Sequence, residues 1–453
     1  MAKHAPISMV LVGAGARGEL NLGTLVRRHG DVMAITGVAE ADDDRRETVM
    51  RRYNIAPEKA VGDWRDLAGG KPLANAAINA LPCRMHYEST LALLQAGYDV
   101  FLEKPMALTP AHAVHLTTEA ERLGRVLVVS LQSRHNKIYS QMRRHFDNGD
   151  VGRLMSIDCA ENVGYWHFIM SYVRGIHHRA SDSHSFVMAK GVHDLDLVAW
   201  FAGAPAKKVA SFGKLSYFNA DNAPEGAPEK CLDGCPVFDT CLFNAYKQFV
   251  DPGRPDFPWR LLTGMSPQAA WDVIREPRFR TLASVISHDV SREKVTQNLR
   301  DTTNGACVFR ADNDVVDHQT VSIEFANEVT ASFQLNGFSL MWERSLNLHG
   351  TAGELRSADF SGKLELRTYQ PGRLRRKNIP YHGIIHGGGD EMILLEFARA
   401  VREQNGEDIL TSAKNCLEAH MICFAAEEAR LREKVVDMDD FRRRAEREAA
   451  TLP

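Results

Sequence analysis

Residues 7–18 read Ile-Ser-Met-Val-Leu-Val-Gly-Ala-Gly-Ala-Arg-Gly, an apolar run that breaks into Gly13-x-Gly15-x-x-Gly18. In that pattern a buried parallel strand enters a helix through a loop suited to a dinucleotide's phosphates. Gly13 serves the tight turn, Gly15 leaves the backbone bare where a pyrophosphate must approach, and Gly18 lets the helix pack close on the strand. Ala16 and Arg17 open the helix, whose first N–H groups and positive dipole end attract an anion. Roughly twenty residues on, a second apolar run (32–39) ends in Glu40, the acidic position of this pattern. A carboxylate there accepts hydrogen bonds from ribose hydroxyls and repels a 2′-phosphate. NAD is therefore expected in preference to NADP, with Arg45 and Arg46 as the neighbours that pull the other way.

A second constellation is Cys231-x-x-x-Cys235-Pro-x-x-x-x-Cys241, three thiols in a stretch without an evident core. One reading is a structural zinc, with Cys307 or a nearby histidine as the fourth ligand; thiolates alone leave no open position for catalysis. The other reading is buried or free thiols.

These residues need a scaffold, and the chain is long enough for one. Its 453 residues suit two domains with real cores. Hydrophobic residues at 44% and charged residues at 25% describe an ordinary globular composition. A net charge of −3 provides no field for nucleic acid or a membrane surface. No run approaches the ~18 apolar residues of a membrane helix, and the opening residues lack signal- or transit-peptide character. Eight mostly solitary cysteines point to a reducing, cytoplasmic setting.

Through residue 135, short apolar runs alternate with helical patterns, which predicts a doubly wound parallel sheet, a Rossmann domain. Strands are expected at 7–12, 32–39, 74–81, 98–102 and 126–131, with helices at 42–52, 85–96 and from 109–110 onward. Beyond a helix ending at 148–149, period-two alternation at 154–160, 209–215, 321–325, 329–335, 344–349 and 363–368 predicts a largely antiparallel open sheet. Residues 136–453 then form an α+β domain for substrate and oligomerisation. Residues 219–287 read as an irregular insertion, and 391–448 as mostly helical. An open sheet face invites cover, so a homodimer or homotetramer is expected.

Two further motifs make a family resemblance specific. Glu103-Lys104-Pro105 follows the strand predicted at 98–102, and Gly191-Val192-His193-Asp194-Leu195-Asp196 opens an apolar helix ending Trp200-Phe201-x-Gly203. With the glycine loop, these resemble the glucose–fructose oxidoreductase/inositol dehydrogenase/rhizopine-catabolism (Gfo/Idh/MocA) family over essentially the whole chain. The resemblance implies that Lys104 faces both the nicotinamide and the substrate hydroxyl, where an ammonium stabilises developing alkoxide. It implies that Pro105 sits in an unusual peptide geometry and that His193 is the acid/base group. Asn79, His86 and Glu103 fall where the family meets its cofactor, although Asn79 or His86 equally reads as a helix cap. One departure stands out. Members similar to inositol dehydrogenase carry an aspartate four residues before the histidine, where this chain has Ala189, and Lys190 follows it. A subgroup with Lys-x-x-His-Asp-x-Asp is similar, which gives Lys190 a base or orienting role.

Tyr165, His167 and Arg174 lie in stretches resembling the same subgroup and read either as sugar or acid contacts or as core. Asp317 and His318, at the end of a loop dense in hydrogen-bonding groups, read as polyol contacts or as a solvated turn. Asp390 reads most simply as a helix N-cap. His177, His178 and His184 fit no metal spacing. The implied activity is hydride transfer between NAD and a secondary alcohol of a sugar, cyclitol or sugar derivative. Two alternatives remain open: glycoside cleavage by transient oxidation and elimination on tightly held NAD, and a catalytically silent NAD-binding sensor.

Overall fold

The computed structural model describes residues 5–250, 282–287, 289–340, 342–379, 386–406 and 409–453. The chain divides into two compact units, residues 1–136, 389–424 and 438–453 in one, and residues 137–388 and 425–437 in the other.

The first unit is built on a six-stranded parallel sheet in the order β3-β2-β1-β4-β5-β6. Its strands are β1 (Ile7–Val12), β2 (Met33–Ala39), β3 (Ala60–Val61), β4 (Ala76–Asn79), β5 (Asp99–Leu102) and β6 (Leu127–Val129). Central β1 lies between β2 and β4, so its side chains are covered on both faces; Val10, Leu11 and Val12 are wholly buried. Burial of each such side chain contributes about 1.5–3 kcal/mol, which is why the strand reads as a continuous apolar run. Strand order reverses beside β1, and in open α/β sheets ligands bind at that switch point, outside the strands' carboxyl ends.

The first unit is not continuous in sequence, because two C-terminal segments join the N-terminal one. Helix Gly389–Glu403 inserts Ile393, Leu394, Phe397, Ala398 and Val401 into the same core as Ile7, Met9, Leu11, Phe101 and Val128. The parallel sheet has two faces to cover, and the C-terminal helices supply part of that cover.

The second unit carries a nine-stranded sheet in the order β14-β13-β12-β11-β7-β10-β9-β8-β15. These strands are β7 (Leu154–Gly164), β8 (Ala206–Lys214), β9 (His318–Phe325), β10 (Thr330–Ser339), β11 (Glu343–Gly350), β12 (Gly353–Ala358), β13 (Lys363–Thr368), β14 (Arg373–Asn378) and β15 (Val436–Asp437). Every pairing is antiparallel except β7 with β10. One face is apolar, with Ile157, Phe333, Leu346 and Leu348 buried. The other is polar and internally paired: Asp158 bonds Ser332 and His349, Thr320 bonds Gln334, and Arg367 joins Glu354 to Glu365. The same face also exposes Phe212, the cross-strand neighbour of Thr320. Much of the predicted insertion, residues 251–281, lies outside the described residues. Among the described residues no helix is long and apolar enough to cross a membrane.

Candidate active site

In the first unit the glycine loop has the shape its spacing predicts. Gly13 takes φ +86°, and a Cβ there would sit 2.9 Å from the Ala80 carbonyl oxygen. A Cβ on Gly18 would run into the Gly13 carbonyl. Gly15 differs, because a Cβ there would meet nothing within 4 Å. Space is thus open at the one glycine expected to admit a pyrophosphate, and helical segment Ala16–Gly23 starts there without a side-chain cap. Glu40 stands at the end of β2. Its Oε2 accepts from Ala14 N at 2.7 Å and its Oε1 from Asp42 N at 3.0 Å, so the carboxylate is fixed beside the loop. Arg46 is tied to the Glu40 carbonyl at 2.7 Å and to the Asp43 carboxylate, which takes it away from the role of a 2′-phosphate receptor. These residues fit a dinucleotide with free ribose hydroxyls.

Glu103-Lys104-Pro105 leaves the end of β5 and is held from several sides. Glu103 N donates to Asn79 O at 2.9 Å, and its carboxylate accepts from Arg17 Nε at 2.7 Å. Arg17 continues to Ser130 Oγ at 3.1 Å and Asp390 Oδ1 at 2.6 Å. Burial alone would pull the Arg17 guanidinium down, but Asp390 and Glu103 overcome that and raise it. The Lys104–Pro105 bond is cis, and Pro105 O lies 2.7 Å from His86 Nδ1. Burial pulls His86 below the usual histidine range. Lys104 itself is partly exposed.

One residue past the proline, Met106 N donates to His420 Nε2 at 3.0 Å, while His420 Nδ1 donates to Cys416 O at 2.8 Å. The ring is fully buried, and burial holds its pKa at about 4. Nε2 can accept only while the imidazole is neutral. The unfolded chain takes up that proton near the ordinary value of about 6.5. Stability should therefore fall as pH drops from the unfolded value through the folded one, by about 2 kcal/mol between pH 7 and pH 5. Urea unfolding at the two pH values checks this: His420→Gln should lose less stability on acidification by about that amount, and an identical loss in both proteins would refute it.

In the second unit, helix Val192–Ala202 brings His193 into a buried position in its first turn. Lys190 precedes it, its Nζ 3.4 Å from Glu161 Oε1. Burial pulls the Lys190 ammonium below the ordinary lysine range, with Glu161 opposing that shift. Glu161 also pairs with Arg344 at 2.7 Å, and Arg344 with Asp194 at 3.1 Å. Burial pushes Asp194 well above the usual carboxylate range against the pull of Arg344, and pushes Asp359 up to about 6. Tyr165 and His167 stand in the short helix Tyr165–Phe168 that follows β7, both half-buried. Tyr165 packs edge-on against Phe243, and His167 against Trp342.

Residues 7–131 match the model of the oxidoreductase family with an NAD-binding Rossmann fold. That match is confined to the part of the chain that carries the parallel sheet, and it identifies residues 7–131 as similar to the NAD-binding domain of the Gfo/Idh/MocA oxidoreductases. YteT of Bacillus subtilis, whose name makes it an oxidoreductase only provisionally, is 22% identical over 438 residues, 90% of this chain and 92% of that one. The D-glucoside 3-dehydrogenase of Escherichia coli is 40% identical over 154 residues, covering 33% of this chain and less than half (42%) of that enzyme. Levoglucosan dehydrogenase, solved with NADH and levoglucosan, superposes with a TM-score of 0.66 at 16% identity, covering 96% of this chain and 99% of that one. At that identity the likeness speaks for the fold.

Several residues proposed from the Gfo/Idh/MocA resemblance prove to be engaged in holding the units together internally. Asn79 gives its amide to Ser89 and Thr90, bracing the end of β4 against the next helix. Arg174, read either as a sugar or acid contact or as core, is 1% exposed and donates to Ala306 O, Gln248 Oε1 and Phe243 O. Asp317 is wholly buried, accepting from Ser216 N and Tyr217 N and from His318 Nδ1, so its lone pairs are committed to the turn; His318 is half exposed. Asp390, read as a cap, receives Arg17 instead. The zinc expectation gains no support as the thiols stand: among the described residues no group of three or more His, Cys, Asp or Glu is arranged to hold an ion. Cys231, Cys235, Cys241 and Cys307 nevertheless line one small cavity. Burial pushes the Cys241 and Cys307 thiols up, opposed by hydrogen bonds from the Phe243 and Phe309 N–H groups. Sequence reasoning missed His420, Glu161, Arg344 and Asp359, which carry no motif and acquire meaning only through partners far away in the chain.

Proposed function

We propose that this chain transfers hydride between NAD and a secondary alcohol of a sugar, cyclitol or related polyol. The observation that carries the reading is the open space at Gly15 beside a fixed Glu40 carboxylate, at the carboxyl end of β1 and β2. NAD, when bound, supplies the hydride acceptor. The chain's own residues do the rest. Backbone N–H groups at Ala16 to Gly18 meet the phosphates, and Glu40 takes the ribose hydroxyls. Lys104 polarises the reacting oxygen, held in place by backbone anchors on either side at Glu103 and Met106. His193 takes the hydroxyl proton, with Lys190 orienting the group or sharing the proton. The sugar class is supported by what the glucoside and levoglucosan dehydrogenases are named for.

A screen of sugars and polyols with NAD and with NADP, read by absorbance of the reduced nicotinamide, tests this. Turnover is expected with NAD on at least one secondary alcohol, at a kcat/KM on the order of tenfold or more above that with NADP, which is about 1.4 kcal/mol of discrimination. Failure to bind NADH in a calorimetric titration would overturn the proposal.

A further inference from the structure

We propose that Cys231, Cys235, Cys241 and Cys307 form a structural centre for a thiophilic metal, as either a single zinc ion or a small iron–sulfur cluster. Three observations in the second unit carry this. First, the four thiols converge from two separate segments on one cavity of about 20 Å3, walled otherwise by Arg174, Asn244 and apolar groups such as Val237, Phe243 and Val308. The two segments are already clasped: Cys231 N donates to Gly305 O at 2.9 Å, and Cys307 N donates to Glu229 O at 2.8 Å. Cys307 thereby becomes the partner that the Cys231–Cys241 stretch lacks in sequence, 66 residues after Cys241 (307 − 241).

Second, N–H donors are aimed at two of the sulfurs. Phe243 N lies 3.4 Å from Cys241 Sγ. Arg174 Nη2 lies 3.6 Å from Cys231 Sγ. Such donors favour the charged form of sulfur and are what orients ligands from behind in metal sites.

Third, Arg174 needs a counter-charge. Its side chain is 1% exposed and donates to Ala306 O at 2.8 Å, Gln248 Oε1 at 3.0 Å and Phe243 O at 2.6 Å. Among the described residues no carboxylate pairs with it. A buried, permanently charged guanidinium beside neutral thiols alone is costly. Four thiolates around a divalent ion, or around a doubly positive cluster core, carry a net charge of about −2 and supply the missing anion. Because no three sulfurs yet grip a common point, closure requires the thiol side chains to rotate into the cavity they border. Gln248, which receives Arg174, also donates to Trp166 O at 2.8 Å, so the centre braces the segment that presents Tyr165 and His167.

The test is the metal content of the full chain, expressed with both zinc and iron in the medium and purified without chelator under argon. About one zinc per chain without acid-labile sulfide, or about four irons with a matching amount of sulfide, supports the proposal and says which centre it is. Cys235→Ser and Cys307→Ser should each lower that content at least ~10-fold, and Cys83→Ser, outside the cavity, should leave it unchanged. Should the serine variants fail to fold, stepwise addition of a mercurial to the wild-type protein should release the metal in proportion to thiols modified. Substoichiometric metal in the wild-type protein overturns the proposal, as does full metal content in Cys307→Ser.

Discussion

Lys104→Ala should lower kcat by about 10²–10³-fold while leaving the affinity for NADH within about twofold. The asymmetry follows from how the turn is held. Glu103 is anchored through its backbone to Asn79 and through its carboxylate to Arg17, Pro105 O meets His86, and Met106 N meets His420. None of those anchors uses the lysine ammonium, so truncation should leave the backbone where it is. What is lost is a positive charge able to stabilise an alkoxide as it develops, an interaction stronger in the transition state than in the bound alcohol. KM for the alcohol should rise far less than kcat falls. Lys104→Met, which keeps the length without the charge, should behave as alanine does, and thermal stability should stay close to wild type in both. Unaltered turnover in either variant would remove Lys104 from the chemistry, while loss of NADH binding along with turnover would show that the lysine holds the coenzyme instead.

The elements that sequence patterning predicts correctly are those whose physics is local. β1, β2 and β5 are covered on both faces and are apolar apart from Ser8, Thr36 and Asp99, and β9, β10 and β13 alternate because one face is buried. β12 and β14 escape that logic. β12 has Leu355 as its one large apolar side chain, and β14 (Arg-Leu-Arg-Arg-Lys-Asn) is exposed along its whole length. A charged strand at a sheet edge is a defence against further pairing, and it hides the strand from any hydrophobic pattern. The glycine loop was legible because its three glycines stand at a fixed local spacing, even though the carbonyl that excludes a Cβ on Gly13 belongs to distant Ala80. His420 was not, since its role depends on Met106, 314 positions earlier. Asp194 stands in the first turn of its helix, yet its partner is Arg344, 150 residues on. Arg174 stayed open between contact and core for the same reason: its partners Cys231, Phe243, Gln248 and Ala306 all lie far along the chain.

Arg344→Met should cost the second unit about 3–5 kcal/mol, the range for removing one partner of a buried ion pair. Arg344 is 14% exposed and binds Glu161 Oε2 at 2.7 Å and Asp194 Oδ1 at 3.1 Å, both carboxylates almost fully buried, with Asp359 at 4.0 Å. Three carboxylates share two cations here, Arg344 and Lys190. Methionine fills the volume and leaves Lys190 facing Glu161 alone. Asp194 and Asp359 then escape an unpaired buried charge by binding protons, which lifts their folded pKa further above the unfolded value of about 4. An acid shifted upward loses stability as pH rises through the gap, because the unfolded chain then holds fewer protons than the folded one. The penalty in the variant should therefore be larger at pH 8 than at pH 5, by at least ~1 kcal/mol in urea unfolding. Adding Asp194→Asn should recover part of the loss at pH 8 and little at pH 5, since the neutral amide removes the charge that high pH exposes. A penalty below about 1 kcal/mol that does not change with pH would mean that the guanidinium is balanced by solvent and that the network carries no electrostatic weight.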